Sequence, residues 1–117
     1  MLDLDSKKER YMRDPLPTRL GGLAANLARI STISINPANR TAVDDILRES
    51  KFFIEWTALE FSPDLTTDLI GLQREIAARH RKWQLDANDE NCRHEISQWA
   101  KLNSQVIFER FKQLSSL

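Results

Sequence analysis

The segment 41–61 constrains the fold more than any other, because its apolar residues follow helical spacing on two faces. On the first face these residues recur three and four apart, which is typical of a helix that packs a wide stripe against a core. Thr41 is expected to cap this helix with the help of Asp44, and Ser62-Pro63 ends it. The first stripe consists of Val43, Ile46, Leu47, Ser50, Phe53, Ile54, Thr57 and Phe61.

The second stripe of the same helix consists of Phe52, Trp56 and Leu59, on nearly the opposite side. Burying each of these side chains stabilises a protein by ~2 kcal/mol or more. Together that is ~6 kcal/mol, comparable with the whole stability of a small domain. The sequence therefore predicts a cover for this stripe, and two covers stay open: the N-terminal arm of the same chain, or a subunit or partner.

Proline, asparagine and serine divide the rest of the chain into further helices. Pro17 suits a first helical turn, segment 36–39 favours a turn, and Ser62 with Pro63 opens the next helix. Short connections make successive helices antiparallel neighbours. We therefore predict an all-α, antiparallel, up-and-down four-helix bundle at 16–117 after an N-terminal arm at 1–15, with helices at about 17–35, 41–61, 63–85 and 89–114.

Three boundaries are less well determined by the residues. In the arm, Ser6 with Glu9 predicts a turn or two of helix. The first long helix starts either near Pro17 or only after Gly22, since glycine is unfavourable inside a helix. Segment 86–91 contains poor helix formers but no glycine or proline, so it is predicted to be a tight turn, with one continuous helix as the alternative.

The last two helices have apolar faces that include polar residues. His80 is expected to be neutral and held by one hydrogen bond, with no carboxylate positioned to orient it. Asn103 is expected to fix helix register with Gln73 as its partner. The predicted core faces are Leu65, Leu69, Leu72, Ile76, His80 and Trp83, followed by Cys92, Ile96, Trp99, Asn103, Val106, Ile107, Phe111 and Leu114.

The charge and cysteine content argue against several classes of protein. Lys and Arg number 17, as do Asp and Glu, so the basic excess of a nucleic-acid binder is absent. The single cysteine fits a reducing compartment. No signal peptide is recognisable, and no run approaches ~20 apolar residues. We expect a cytoplasmic protein that binds neither nucleic acid nor membrane.

Motifs for catalysis or cofactor binding are not recognisable in the sequence. Glu90, Cys92 and His94 are of metal-binding types, but Cys92 points away from the other two on a helix. Neither His80 nor His94 has a glutamate three residues before it, as di-iron bundles require. We therefore predict no metal, no cofactor and no enzyme activity.

Residues 14–61, DPLPTRLGGLAANLARISTISINPANRTAVDDILRESKFFIEWTALEF, lead into SPDLTTDLIGLQREIA at residues 62–77. This run resembles small uncharacterised helical-bundle proteins of cyanobacteria. The resemblance implies a cytoplasmic helical bundle, and it carries over no functional residues.

The function expected from these features is a protein–protein interaction or adaptor module. We predict that it forms a homodimer through Phe52, Trp56 and Leu59. The alternative is a bundle that binds a small ligand or a metal between helices near His80, Asn103 and Gly21.

Overall fold

The order of helices follows the pattern of caps and prolines along the chain. The structure is a computed structural model that describes residues 3–116. Residues 1, 2 and 117, which belong to the predicted arm and bundle, lie outside it. The described residues form five α-helices and contain no β-strand, so the all-α class is confirmed: α1 Leu4–Arg13, α2 Leu16–Ile33, α3 Arg40–Thr57, α4 Pro63–Asp86 and α5 Glu90–Ser115.

The predicted helix ends hold to within a few residues, but two of the caps are wrong. Asp3, not Ser6, caps α1: its carboxylate accepts hydrogen bonds from the backbone N–H and the hydroxyl of Ser6. The arm therefore contains a complete helix rather than a turn or two. Helix α3 begins at Arg40, one residue before the predicted cap Thr41, because the 3₁₀ turn Pro37–Asn39 leads directly into it.

The other predicted boundaries can be compared directly. Helix α2 starts at Leu16, so the alternative start after Gly22 is wrong. Ser62 caps α4 as predicted, with its hydroxyl accepting from the N–H of Leu65. Asp89 caps α5 after a turn, so the single continuous helix is also wrong. Helix α3 stops at Thr57, and the predicted last turn becomes the 3₁₀ turn Ala58–Glu60.

Each of the four longer helices packs on two of the others. Helix α2 has its most extensive contact with α5 and also packs on α3, while α4 packs on α3 and α5. Helix α1 contacts α3. The predicted core face of α3 is largely buried, and every predicted core residue of α4 is buried.

The core face of α5 is rotated from the prediction. Val106 was expected inside but is 52% exposed, whereas Ser97, Ala100 and Ser104 are buried. The hydroxyl of Ser97 donates to the carbonyl of Ser31 on α2 at 2.7 Å. Small side chains let α5 approach α2 closely, and this approach turns Val106 outwards.

Candidate interaction surface

Tyr11 attaches α1 to the aromatic side of α3. Its ring stacks on Phe53 with centroids 3.9 Å apart and planes 9° from parallel. Its hydroxyl donates to the carbonyl of Arg19 on α2 at 2.7 Å. Burial raises the pKa of this phenol well above its ordinary value. Tyr11 therefore joins α1 to both α2 and α3.

Polar contacts hold the two ends of α1. The guanidinium of Arg19 donates to the carbonyls of Met12 and Asp14, at 3.0 and 2.9 Å, and also to the carboxylate of Glu60 at 2.8 Å. It thus satisfies carbonyls that a helix C-terminus leaves without internal partners. Nearer the start of α1, Lys7 pairs with Glu49 of α3 at 2.5 Å.

The predicted interface residues differ in how far α1 covers them. Trp56 is half-buried and has its ring 6.1 Å from Tyr11. Phe52 is also half-buried, and it stacks on Trp56 with centroids 5.6 Å apart. Leu59 lies in the 3₁₀ turn after α3 and is 85% exposed. The arm therefore covers part of this stripe and leaves an apolar remainder exposed.

A groove of about 370 Å³ runs beside Phe52 between α3 and α4. The amide of Gln73, one of its lining residues, donates to the carbonyl of Lys51 at 3.1 Å. Burial, and then the charge of Arg48, lower the pKa of Lys51. The groove therefore combines an aromatic wall with charges of both signs, and its lining residues are Lys51, Phe52, Glu55, Gln73, Arg74 and Ala77.

His80 is buried, as predicted, but it does have a carboxylate partner. Its Nε2 lies 2.7 Å from Oδ1 of Asp44, so the expectation that no carboxylate orients it was wrong. Gln84 donates to the same oxygen at 3.2 Å and lies 3.3 Å from His80 Nε2. The short contact to Asp44 assigns the proton to Nε2, so the Gln84–His80 contact is not a second hydrogen bond.

Asn103 is half-buried and does not pair with Gln73. Its amide donates to the carbonyl of Trp99, one turn earlier in α5, at 2.9 Å. Trp99 instead makes the link to α4, through a hydrogen bond of 3.3 Å from its indole to Glu75. His80 and Asn103 therefore have separate local partners and do not converge on a shared site.

A second groove, which is apolar and was not predicted from the sequence, lies between α2 and α5. It has a volume of about 400 Å³. Gly21 borders it, but neither His80 nor Asn103 does. Its signal in the sequence was the row of small side chains in α2 facing Phe108, which lies off the core stripe. The lining residues are Gly21, Ala24, Ala25, Ala28, Ser104, Gln105 and Phe108.

Groups suited to metal binding do not cluster in the described residues, where no three His, Cys, Asp or Glu side chains come together. His94 and Glu90 form an exposed pair 3.6 Å apart. Cys92 is buried, and its burial raises the pKa of its thiol. Within residues 3–116, none of the helices combines the length and the apolar character needed to cross a membrane.

Comparison with known proteins does not assign this chain to a family, so the proposed function is argued from its residues and their contacts. No family model, no curated protein and no solved structure matches this chain.

Proposed function

We propose that the protein is an interaction or adaptor module that forms a homodimer through Phe52, Trp56 and Leu59. The observation that carries this proposal is the incomplete cover over the stripe. Tyr11 stacks on Phe53, while among the described residues Phe52 stacks only on the neighbouring Trp56, and Leu59 is 85% exposed. An apolar surface that a chain leaves uncovered usually marks a contact with another molecule.

The proposal includes the arrangement of the helices. We infer that α2, α3, α4 and α5 form an antiparallel, up-and-down four-helix bundle with α1 attached to its side. The short connections between these helices and their pairwise contacts support this arrangement. A cytoplasmic location belongs to the same proposal, supported by the single, buried cysteine.

The proposal is one of binding rather than catalysis. A general acid or base must reach the substrate proton within about 3 Å. The side chain of His80 is 6% exposed, and its Nε2 is already bonded to Asp44. This pair is better suited to joining α3 to α4 than to proton transfer on a bound molecule.

Sedimentation velocity over a range of protein concentrations tests the homodimer. We expect the wild type to dimerise, and Leu59→Glu or Trp56→Glu to shift it to the monomer. Leu59→Glu is the cleaner variant, because Trp56 also contacts Tyr11. The matched control is Leu85→Glu, at a leucine of α4 that is 75% exposed. A wild type that stays monomeric at all concentrations would remove the homodimer.

A second candidate function is the binding of a small apolar ligand in the groove between α2 and α5. The observation in its favour is the almost wholly apolar lining around Phe108. This groove would replace the site expected near His80. Titration with a fluorescent fatty acid tests it, using Ala25→Gln to introduce a polar side chain into the groove. Equal binding by both proteins would argue against this function.

A further inference from the structure

Two opposite charges flank Phe52 on the solvent side of α3. Arg48 lies one helical turn before Phe52, and Glu55 lies about one turn after it, so all three project to the same side of the helix. Both charged side chains are exposed, while Phe52 between them is half-buried. Between Arg48 and Glu55, the outward face of α3 therefore runs from positive, through an aromatic ring, to negative.

Neither charge is strongly paired within the part of the chain that the structure describes. The guanidinium of Arg48 lies 3.9 Å from Asp44, whose other carboxylate oxygen is already bonded to His80. Across residues 3–116, Glu55 forms no ion pair with a lysine or an arginine. Lys51, beside Arg48, has its pKa lowered partly by the Arg48 charge. A nearby anion would therefore stabilise the positive charges of Arg48 and Lys51.

We propose, resting on the homodimer proposed above, that two copies pack their α3 helices antiparallel about a two-fold axis at Phe52. The antiparallel order places Arg48 of each copy opposite Glu55 of the other. The two-fold axis produces this ion pair twice, because a contact of residue i with residue j is repeated as j with i. Each Phe52 ring then meets the other copy beside the groove between α3 and α4.

Charge complementarity selects this arrangement over its main rival. If the two α3 helices packed side by side and parallel, Arg48 would face Arg48 and Glu55 would face Glu55. Like charges brought together at an interface cost several kcal/mol, whereas complementary charges fix the register. The face of α3 is complementary to itself only in the antiparallel order.

Charge-reversal variants test this register directly. We expect Arg48→Glu to weaken dimerisation at least about tenfold, because it places two acidic side chains opposite each other. Glu55→Arg should weaken it similarly through two basic side chains. The double variant Arg48→Glu/Glu55→Arg should dimerise again. An equimolar mixture of the two single variants should form a heterodimer, since the opposite charges then face each other at both positions.

Two controls and three outcomes complete the experiment, with dimerisation measured by sedimentation equilibrium. Lys101→Glu, on α5, makes the same change in net charge as Arg48→Glu and should leave dimerisation unchanged. Circular dichroism checks that every variant is folded. Loss in both single variants and recovery in the mixture support the antiparallel register. A dimer that Leu59→Glu dissociates but the charge variants do not overturns the register and leaves the homodimer standing. A monomeric wild type overturns both.

Discussion

His80 and Asp44 form a direct contact between α4 and α3, with Nε2 of the imidazole 2.7 Å from Oδ1 of the carboxylate. His80 is buried, and the side chain of Asp44 is partly exposed. Together with the hydrogen bonds from Gln73 to the carbonyl of Lys51 and from Trp83 to the carbonyl of Arg40, the pair holds one specific register of α4 against α3. How much the pair stabilises the fold depends on which hydrogen bonds each side chain keeps when the other is replaced.

Replacing His80 by leucine is expected to lower the free energy of unfolding by about 1–3 kcal/mol. Asp44 then loses its closest donor but keeps Gln84 and access to water. Asp44→Asn preserves an oxygen that accepts from Nε2, so we expect a smaller loss of about 1 kcal/mol. Urea unfolding followed by tryptophan fluorescence at neutral pH measures both losses.

The double variant decides whether the two residues act through each other. If they do, the losses of His80→Leu and Asp44→Asn combine to less than their sum, because both remove the same hydrogen bond. Strictly additive losses would instead show that the contact contributes nothing and that each side chain acts through its own packing.

The three glycines provide a graded series of substitutions in helices. A Cβ at Gly71 would have no neighbour within 4 Å, so Gly71→Ala should stabilise the protein by about 0.5–1 kcal/mol. At Gly22 a Cβ would lie 3.6 Å from Tyr11, an ordinary contact, and the gain should be similar. At Gly21 it would lie 3.2 Å from Phe111, which must shift, so the gain should be reduced or lost.

Thermal and urea unfolding of the three alanine variants give the order of these effects. Gly71→Ala serves as the reference for helix propensity alone. A Gly21→Ala variant that gains as much as Gly71→Ala would show that Phe111 moves freely. A destabilised Gly22→Ala variant would show that Tyr11 packs more tightly on α2 than this structure indicates.

The stability that Tyr11 contributes by attaching α1 is expected to depend on pH. Burial raises the phenol pKa above its ordinary value of 10.0, so the folded chain keeps the proton at a pH where the unfolded chain loses it. The contribution of Tyr11 to stability is therefore complete below pH 10 and falls as pH rises further. Tyr11 is the only tyrosine, so tyrosinate absorbance reports on this side chain alone.

Comparison with Tyr11→Phe separates this effect from other groups that titrate at high pH. The variant loses the hydrogen bond to Arg19, at a cost of about 1 kcal/mol near neutral pH. Above pH 10 its stability should fall less steeply than that of the wild type. Ionisation of Tyr11 near pH 10 in the folded protein would contradict the buried position of the ring.

The sequence predicted the helices better than the contacts between them. Pro63 and Ser62 act through local geometry, so the start of α4 could be placed from a few neighbouring residues. The partner of His80 could not be predicted in this way, because Asp44 lies on another helix. Asp44 had instead been assigned to the cap of α3, a local role that its contact with His80 replaces.

The candidate interaction surface was also predicted only in part, because its cover depends on contacts between helices. The second stripe of α3 followed from helical spacing, but its cover depends on where α1 docks. Docking depends on Tyr11 reaching both Phe53 and the carbonyl of Arg19, and no periodicity indicates either contact. The orientation of α5 was likewise set by its close approach to α2, which placed Val106 outside the core.

Cys92 reports on local opening at the start of α5. It is the only cysteine, it is buried in the first turn of the helix, and burial raises the pKa of its thiol. Labelling by a thiol reagent should therefore be slow in the folded protein, since the reactive thiolate is scarce and covered. Helix ends open more readily than the whole molecule unfolds, so we expect labelling to occur through fraying of this turn.

Asp89→Ala removes the cap and should accelerate labelling about fivefold for a loss of ~1 kcal/mol. Gly71→Ala, which stabilises the distant middle of α4, should leave the rate unchanged, and a matching slowdown would show that Cys92 is exposed only by global unfolding.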